Sequence, residues 1–227
     1  MEGIKKGILF DLDGTLWDSS EAVVMSWNEV LEKYEDTVRP ATVEWMQRLM
    51  GKTMLEIENA FLDYLPPDRR HEVMQECMDH ENEYIAEHGG ILFPDVRETL
   101  ALLKKEYHLS VVSNCQEGYV PAFFKAHGME DLFDDYEEYG RTGMKKAGNI
   151  RLVKERNGLT HAVYLGDILG DYEAASEAGI SFIHAAYGYG QVPKELPRIT
   201  RFCELPEAAA KVFERMHNQH QNCCRAN

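Results

Sequence analysis

The chain has 227 residues, 44% of them hydrophobic, which is enough for one sizeable core or a core with a small accessory domain. It carries 24 Lys and Arg against 39 Asp and Glu, a formal charge of −15. That balance argues against nucleic acid or an anionic membrane surface as a partner, since both are held through clustered cations, and any anionic ligand would need a local cation or a metal.

The first ten residues contain a short apolar run with no small-residue cleavage site after it, so no secretory signal is expected. No run approaches the length of a membrane-spanning helix. Cys77, Cys115, Cys203, Cys223 and Cys224 are odd in number, and the adjacent pair lacks C-x-x-C spacing. They are expected to be free thiols in a reducing, cytoplasmic setting. Residues 7–10 form the first short apolar run, predicted as a buried strand, and it ends in Asp11-Leu12-Asp13-Gly14-Thr15. From about residue 20 to 87 there is no convincing strand. Trp27, Val30, Leu31 and Tyr34, then Trp45, Leu49 and Met50, recur at helical spacing. Asp18, Ser19 and Ser20 are candidate N-caps for the first helix, and Pro66-Pro67-Asp68 breaks the run before a long helix over 69–87. This stretch is predicted to be a four-helix insertion, with Gly89-Gly90 and Pro94 marking the return.

Helical periodicity over 96–105 leads to a strand at 109–112 ending in Ser113-Asn114-Cys115. A strand at 162–165 ends in Gly166-Asp167, a helix covers 171–178, and a last strand lies at 181–185. Alternating β and α elements predict an α/β fold, a doubly wound parallel sheet with a Rossmann-like core. Its domains are 1–18 with 89–216 as the core and 19–88 as the helical insertion; the polar residues 217–227 are expected to fray. In such sheets ligands bind beyond the carboxyl ends of the strands, so Asp11, Asp13, Ser113, Asn114, Asp167 and Asp171 are predicted to converge there. Alone, either acidic cluster could be a turn or a helix cap.

In combination, Asp11-Leu12-Asp13-Gly14-Thr15, Ser113, a Lys at 145 or 146, and Gly166-Asp167-x-x-x-Asp171 resemble the four ordered motifs of the haloacid dehalogenase-like hydrolases. The insertion is similar to that superfamily's small α-helical cap. The nearest general resemblance is to phosphoglycolate phosphatase-like members. It implies that Asp11 attacks phosphorus and forms an aspartyl-phosphate, with Asp13 as acid and then base. It also implies that Ser113, Asn114 and the Lys hold the phosphoryl group, and that Asp11, the carbonyl of Asp13, Asp167 and Asp171 hold Mg²⁺. Counting back from Ile150 selects Lys145 for that ammonium, whereas members with a Lys-Gly-Glu-Asn-like run place it at Lys146, the assignment favoured here.

The implied activity is hydrolysis of a small phosphorylated metabolite. Asp13 favours phosphoryl transfer, because family members that attack carbon lack an Asp at that position. A β-phosphoglucomutase-like phosphomutase and a non-catalytic protein on the same scaffold are the alternatives. Lys52, in Gly51-Lys52-Thr53 between two cap helices, is a candidate contact for a second anionic group on the substrate. Trp27 and Trp45 are expected in the core and Trp17 at the cleft. His184 and Tyr187-Gly188-Tyr189-Gly190 are expected to border the crevice, without assigned chemistry.

Overall fold

The computed structural model describes residues 4–34 and 39–225. In chain order the strands are β1 (Lys6–Phe10), β2 (Trp17–Asp18), β3 (Ile91–Leu92), β4 (His108–Ser113), β5 (Asp135–Glu138), β6 (His161–Gly166), β7 (Ser181–Ala185) and β8 (Arg198–Ile199). The helices are α1 (Ser20–Leu31), α2 (Val43–Gln47), α3 (Met54–Phe61), α4 (Pro67–His88), α5 (Val96–Leu103), α6 (Tyr119–His127), α7 (Tyr139–Thr142), α8 (Lys146–Arg156), α9 (Leu169–Glu177) and α10 (Leu205–Arg225).

Six strands form a parallel sheet in the order β5-β4-β1-β6-β7-β8. Alternation along each strand sends side chains to two faces. Ile8, Phe10, Leu109, Val111, Val163 and Leu165 join the core beneath α5, α6 and α10, while Leu9, Val112 and Tyr164 meet Ile150, Val153 and Ala175 of α8 and α9. Both faces are covered, which is why these strands read as continuous apolar runs. The chain steps outward from β1 to β4 and β5, then returns to lay β6 on the other side of β1. The strand order therefore reverses about β1, and the carboxyl ends of β1, β4 and β6 open onto one crevice.

The four helices α1 to α4 lie between β2 and β3, which pair antiparallel where the chain leaves and re-enters the core. The long α4 packs on α1 and also on α6. Among the proposed caps of α1, Ser19 makes no cap hydrogen bond. Asp18 Oδ1 instead accepts from Ser20 N at 2.9 Å, because Ser19 Oγ is engaged elsewhere.

The short edge strand β5 was not evident from its sequence, Asp-Tyr-Glu-Glu. It is neutralised by Arg156, whose guanidinium donates to Asp135 at 2.7 Å and Glu137 at 2.6 Å. The expectation that residues 217–227 fray meets a helix that continues through Arg225, with 226–227 outside the described residues. Cys77, Cys115 and Cys203 are free, and the side chains of Cys223 and Cys224 lie outside the described ones. No described helix is long and apolar enough to cross a membrane.

The loop after β4 is held from behind. Buried Glu138 accepts from Gly118 N at 2.7 Å and Val120 N at 3.1 Å, capping α6 as an anion at a helix N-terminus should. Gly140 N donates to the Cys115 carbonyl, and a Cβ at Gly140 would stand 2.0 Å from the backbone N of Glu117. Gly140→Ala is therefore expected to lower stability by about 1–3 kcal/mol through overpacking. It should also depress any activity that depends on Ser113 and Asn114; denaturant unfolding and steady-state kinetics would measure the two effects.

Candidate active site

Asp11, which follows β1 directly, and Asp167, which follows β6, are both buried, as is Asp171 in the first turn of α9. One carboxylate oxygen from each of the three lies within 4.8 Å of the others. Lys146, the first residue of α8, reaches into this cluster. Its Nζ donates to Asp11 Oδ1 at 2.7 Å and to Asp171 Oδ1 at 2.6 Å. Lys145 stays outside and lines an outer groove with Lys52 and Arg48.

The three carboxylates are not equivalent. Asp171 Oδ2 accepts from the backbone N of Asp167 (3.1 Å) and of Ile168 (3.2 Å), so both its oxygens are engaged. Asp167 Oδ2 accepts from Tyr189 N at 2.7 Å and its Oδ1 from Thr15 Oγ1 at 3.4 Å. The Asp167 carbonyl accepts from buried His184 Nε2 at 3.1 Å, so His184 holds the loop from behind. Gly14, at φ 82°, allows this packing, since a Cβ there would lie 2.4 Å from Asp167 Oδ2.

Burial, then the neighbouring Asp171, holds the Asp11 carboxyl well above the ordinary range. The same two causes push Asp167 up to about 7. For Lys146, burial works to lower the pKa, but the charges of Asp11 and Asp171 overcome it and hold the ammonium well above its usual value. The cluster is thus short of positive charge by more than one ammonium supplies. Its all-oxygen donor set fits a hard divalent cation, with Asp11, Asp167 and Asp171 each offering one carboxylate oxygen.

Asp13 sits beside this cluster with a different environment. Trp17 Nε1 (3.0 Å), Ser19 Oγ (2.5 Å) and Tyr119 Oη (2.9 Å) all donate to its Oδ1. Burial raises its pKa, against the lowering effect of those three hydrogen bonds. Because the donors converge on Oδ1, a proton on this carboxyl resides on Oδ2. Trp17 is therefore not at the cleft as expected but fully buried, its ring edge-on to Phe123. Trp27 is core, as expected, and Trp45 is half-buried against Phe61.

Asp11, Asp13, Ser113 and Asn114 line a cavity of about 40 Å³ roofed by the cap. Asn114 Nδ2 donates to the carbonyl of Gly51 on the cap loop at 2.9 Å, and exposed Lys52 lies beside it at the rim. Tyr187 Oη donates to the Thr15 carbonyl and Tyr189 Oη to Asp18 Oδ1, tying the loop after β7 to the hinge. Tyr119 and the cap residue Glu81 were absent from the residues singled out by sequence, and Ser19 and Thr15 entered only as a candidate N-cap and as the end of the acidic motif. Only Ser19 and Thr15, flanking the acidic motif, carried any local signal.

The haloacid dehalogenase-like hydrolase family model matches residues 8–185. A phosphoglycolate phosphatase from Shigella boydii serotype 4 (strain Sb227) is 26% identical over 213 residues, covering 81% of this chain and 82% of that one. Among solved structures, a haloacid dehalogenase-like hydrolase from Bacteroides fragilis superposes with a TM-score of 0.74 at 26% identity, over 89% of this chain and all of the other. A predicted phosphoglycolate phosphatase from Haemophilus somnus 129pt gives a TM-score of 0.80 at 23% identity, over 92% and 100% of the two chains. The chain belongs to the haloacid dehalogenase-like hydrolase family.

Two outcomes follow from the geometry. Lys146→Met, which strips the only ammonium from the cluster, is expected to lower kcat at least 100-fold, and Lys145→Met less than about threefold. Glu81 is buried in α4, and burial pushes its pKa up to about 7 although Trp27 donates to it. A carboxyl with a folded pKa above its unfolded one loses stability as pH rises through that window, here from about 4.5 to 7. Glu81→Gln is expected to raise stability at pH 8 by on the order of 1–3 kcal/mol, with the gain vanishing below about pH 4.5, as read by denaturant midpoints across pH.

Proposed function

We propose that this chain is a Mg²⁺-dependent phosphatase that hydrolyses a small phosphomonoester through an aspartyl-phosphate on Asp11. The observation that carries this reading is the pairing of buried Asp11 and half-buried Asp13 in one cavity wall with different surroundings. Asp11 is paired with the Lys146 ammonium, while the hydrogen bonds that Asp13 accepts come from the neutral groups of Trp17, Ser19 and Tyr119. The first environment suits a charged nucleophile and the second a proton carrier. The family assignment and the likeness to a phosphoglycolate phosphatase support phosphoryl transfer as the chemistry.

In this reading Asp11 attacks phosphorus with the oxygen that Lys146 leaves free, forming a carboxyl O–P bond while the ester O–P bond breaks. Asp13 gives its Oδ2 proton to the departing alkoxide. Asp13, now a carboxylate, takes a proton from water, whose oxygen attacks phosphorus. The bond to Asp11 breaks, and phosphate leaves with the nucleophile restored. Ser113 Oγ and the Asn114 backbone N–H hold the phosphoryl oxygens, and Lys146 offsets their charge as it moves toward Asp11.

Asp11, Asp167 and the Asp13 carbonyl would hold the Mg²⁺, with Asp171 as a direct or water-mediated partner. When bound, the ion supplies the two further positive charges that let a dianionic ester approach these carboxylates. The enzyme is expected to act in the cytoplasm on soluble metabolites, without nucleic acid or membrane.

A phosphate-release screen over sugar phosphates, nucleotides, phosphoglycolate and phosphoamino acids, with wild type and Asp11→Asn side by side, tests the proposal. Asp11→Asn is expected to lose at least 1,000-fold, roughly the whole of the covalent route. Chelation with EDTA should abolish release, and added Mg²⁺ should restore it. Full turnover by Asp11→Asn would overturn the aspartyl-phosphate route. Isomerised product without free phosphate would replace hydrolysis by phosphomutase chemistry.

A further inference from the structure

The cap wall of the cavity is mostly apolar, built from Val23, Trp27, Met46 and Ile57, with Glu81 from the cap and Gln116 from the core set among them. Glu81 is 3% exposed and Gln116 7%. Trp27 Nε1 donates to Glu81 Oε2. The orientation of the Gln116 amide follows from a relay. Asn82 Nδ2 donates to the Glu117 carbonyl at 2.9 Å, so Asn82 Oδ1 is left to accept, and Gln116 Nε2 donates to it at 3.2 Å. Gln116 Oε1 therefore remains a buried acceptor without a partner.

An unpaired buried acceptor is costly, and its place in a cavity wall marks it as awaiting a donor. Burial pushes the Glu81 carboxyl up to about 7 even with the Trp27 and Gln116 hydrogen bonds, so it too is short of donors. Lys52 is the one Lys or Arg among the described residues lining this cavity, and it is exposed at the rim. A carboxylate on the leaving group would meet two electron-rich groups here, whereas a hydroxyl would donate to one of them and an ammonium to both.

We infer that the cavity selects small phosphomonoesters whose leaving group carries a hydroxyl or ammonium donor and no carboxylate, with Glu81 and Gln116 Oε1 as the acceptors. The inference rests on the phosphatase reading above. It separates this chain's substrate from phosphoglycolate, the carboxylate-bearing ester for which its relatives are named.

The test compares kcat/KM for 2-aminoethyl phosphate, glycerol 3-phosphate, phosphoglycolate and acetyl phosphate, all with Mg²⁺, in wild type, Glu81→Gln and Gln116→Leu. Wild type is expected to prefer at least one donor-bearing ester over phosphoglycolate by tenfold or more. Glu81→Gln should narrow that ratio about tenfold, with a larger loss for the ammonium than the hydroxyl ester, because a neutral amide still accepts from a hydroxyl. Gln116→Leu should narrow it for both. Should either variant fail to fold, the wild-type ratio decides alone. Hydrolysis of acetyl phosphate without the tenfold preference, or a ratio that both folded variants leave unchanged, overturns this inference and leaves the phosphatase reading standing. No phosphate from any ester, acetyl phosphate included, overturns the phosphatase reading itself and this inference with it.

Discussion

The buried ammonium of Lys146, held between Asp11 and Asp171, is the contact on which the site depends. Its side chain is 4% exposed, and it joins α8 to the end of β1 and the start of α9. At an effective dielectric near 20, each unit pair at 4 Å is worth about 4 kcal/mol. The desolvation of three charged groups offsets much of that, so such a cluster is a poor way to stabilise a fold. Its value lies in electrostatic preorganisation. Asp171 spends both oxygens on Lys146 and on two backbone N–H groups, so it fixes the lysine and the Asp167 loop together. Asp11 and Asp167 are left with raised pKa values and a need for further positive charge. The three carboxylate oxygens fit a hard divalent cation.

A second layer sets the difference between Asp11 and Asp13. Two residues apart in sequence, they differ in their neighbours, and Asp13 is only half-buried. Asp13 receives its three hydrogen bonds from Trp17 at the hinge, Ser19 at the start of the cap, and Tyr119 at the start of α6. One carboxyl oxygen is thereby bound to three elements at once. The roof is fastened by equally few polar contacts, Asn114 to Gly51, Gln116 to Asn82 and Asn82 to the Glu117 carbonyl, which join the loop after β4 to cap residues. Opening the cap would break those contacts and admit water. Closing it leaves a small, largely dehydrated cavity in which the charges of Asp11 and Lys146 act at full strength.

Central strands were legible in the sequence because burial on both faces leaves only apolar runs, as in residues 7–10 and 162–165. The edges were not. β5 carries three acidic residues and persists because Arg156, eighteen or more positions away, neutralises two of them. β2 and β3 are two residues each and exist only as partners of one another. The acidic motifs announced themselves by spacing, and the choice between Lys145 and Lys146 is geometric: one is the N-cap of α8 and the other its first helical residue, pointing into the cluster. Glu81 left no trace, lying in a long polar helix with several other glutamates. Only its packing against Trp27 and the cavity sets it apart.

The start of α1 shows how the cap is tied to the core. Asp18, Ser19 and Ser20 form the sequence pattern of a helix start, and local rules give the cap to one of their side chains. In the structure Asp18 serves Ser20, while Ser19 turns away from the helix to donate to Asp13. The first turn of the cap thus gives up a local hydrogen bond of its own for one to the proposed proton carrier. Asp18 is in turn held by Tyr189, whose backbone N–H also binds Asp167. A displacement of α1 must therefore be felt at Asp13 through Ser19 and at Asp167 through Tyr189. The start of the cap and the residues proposed for the chemistry are thus joined by four hydrogen bonds, which run from Ser19 to Asp13 and from Ser20 through Asp18 and Tyr189 to Asp167.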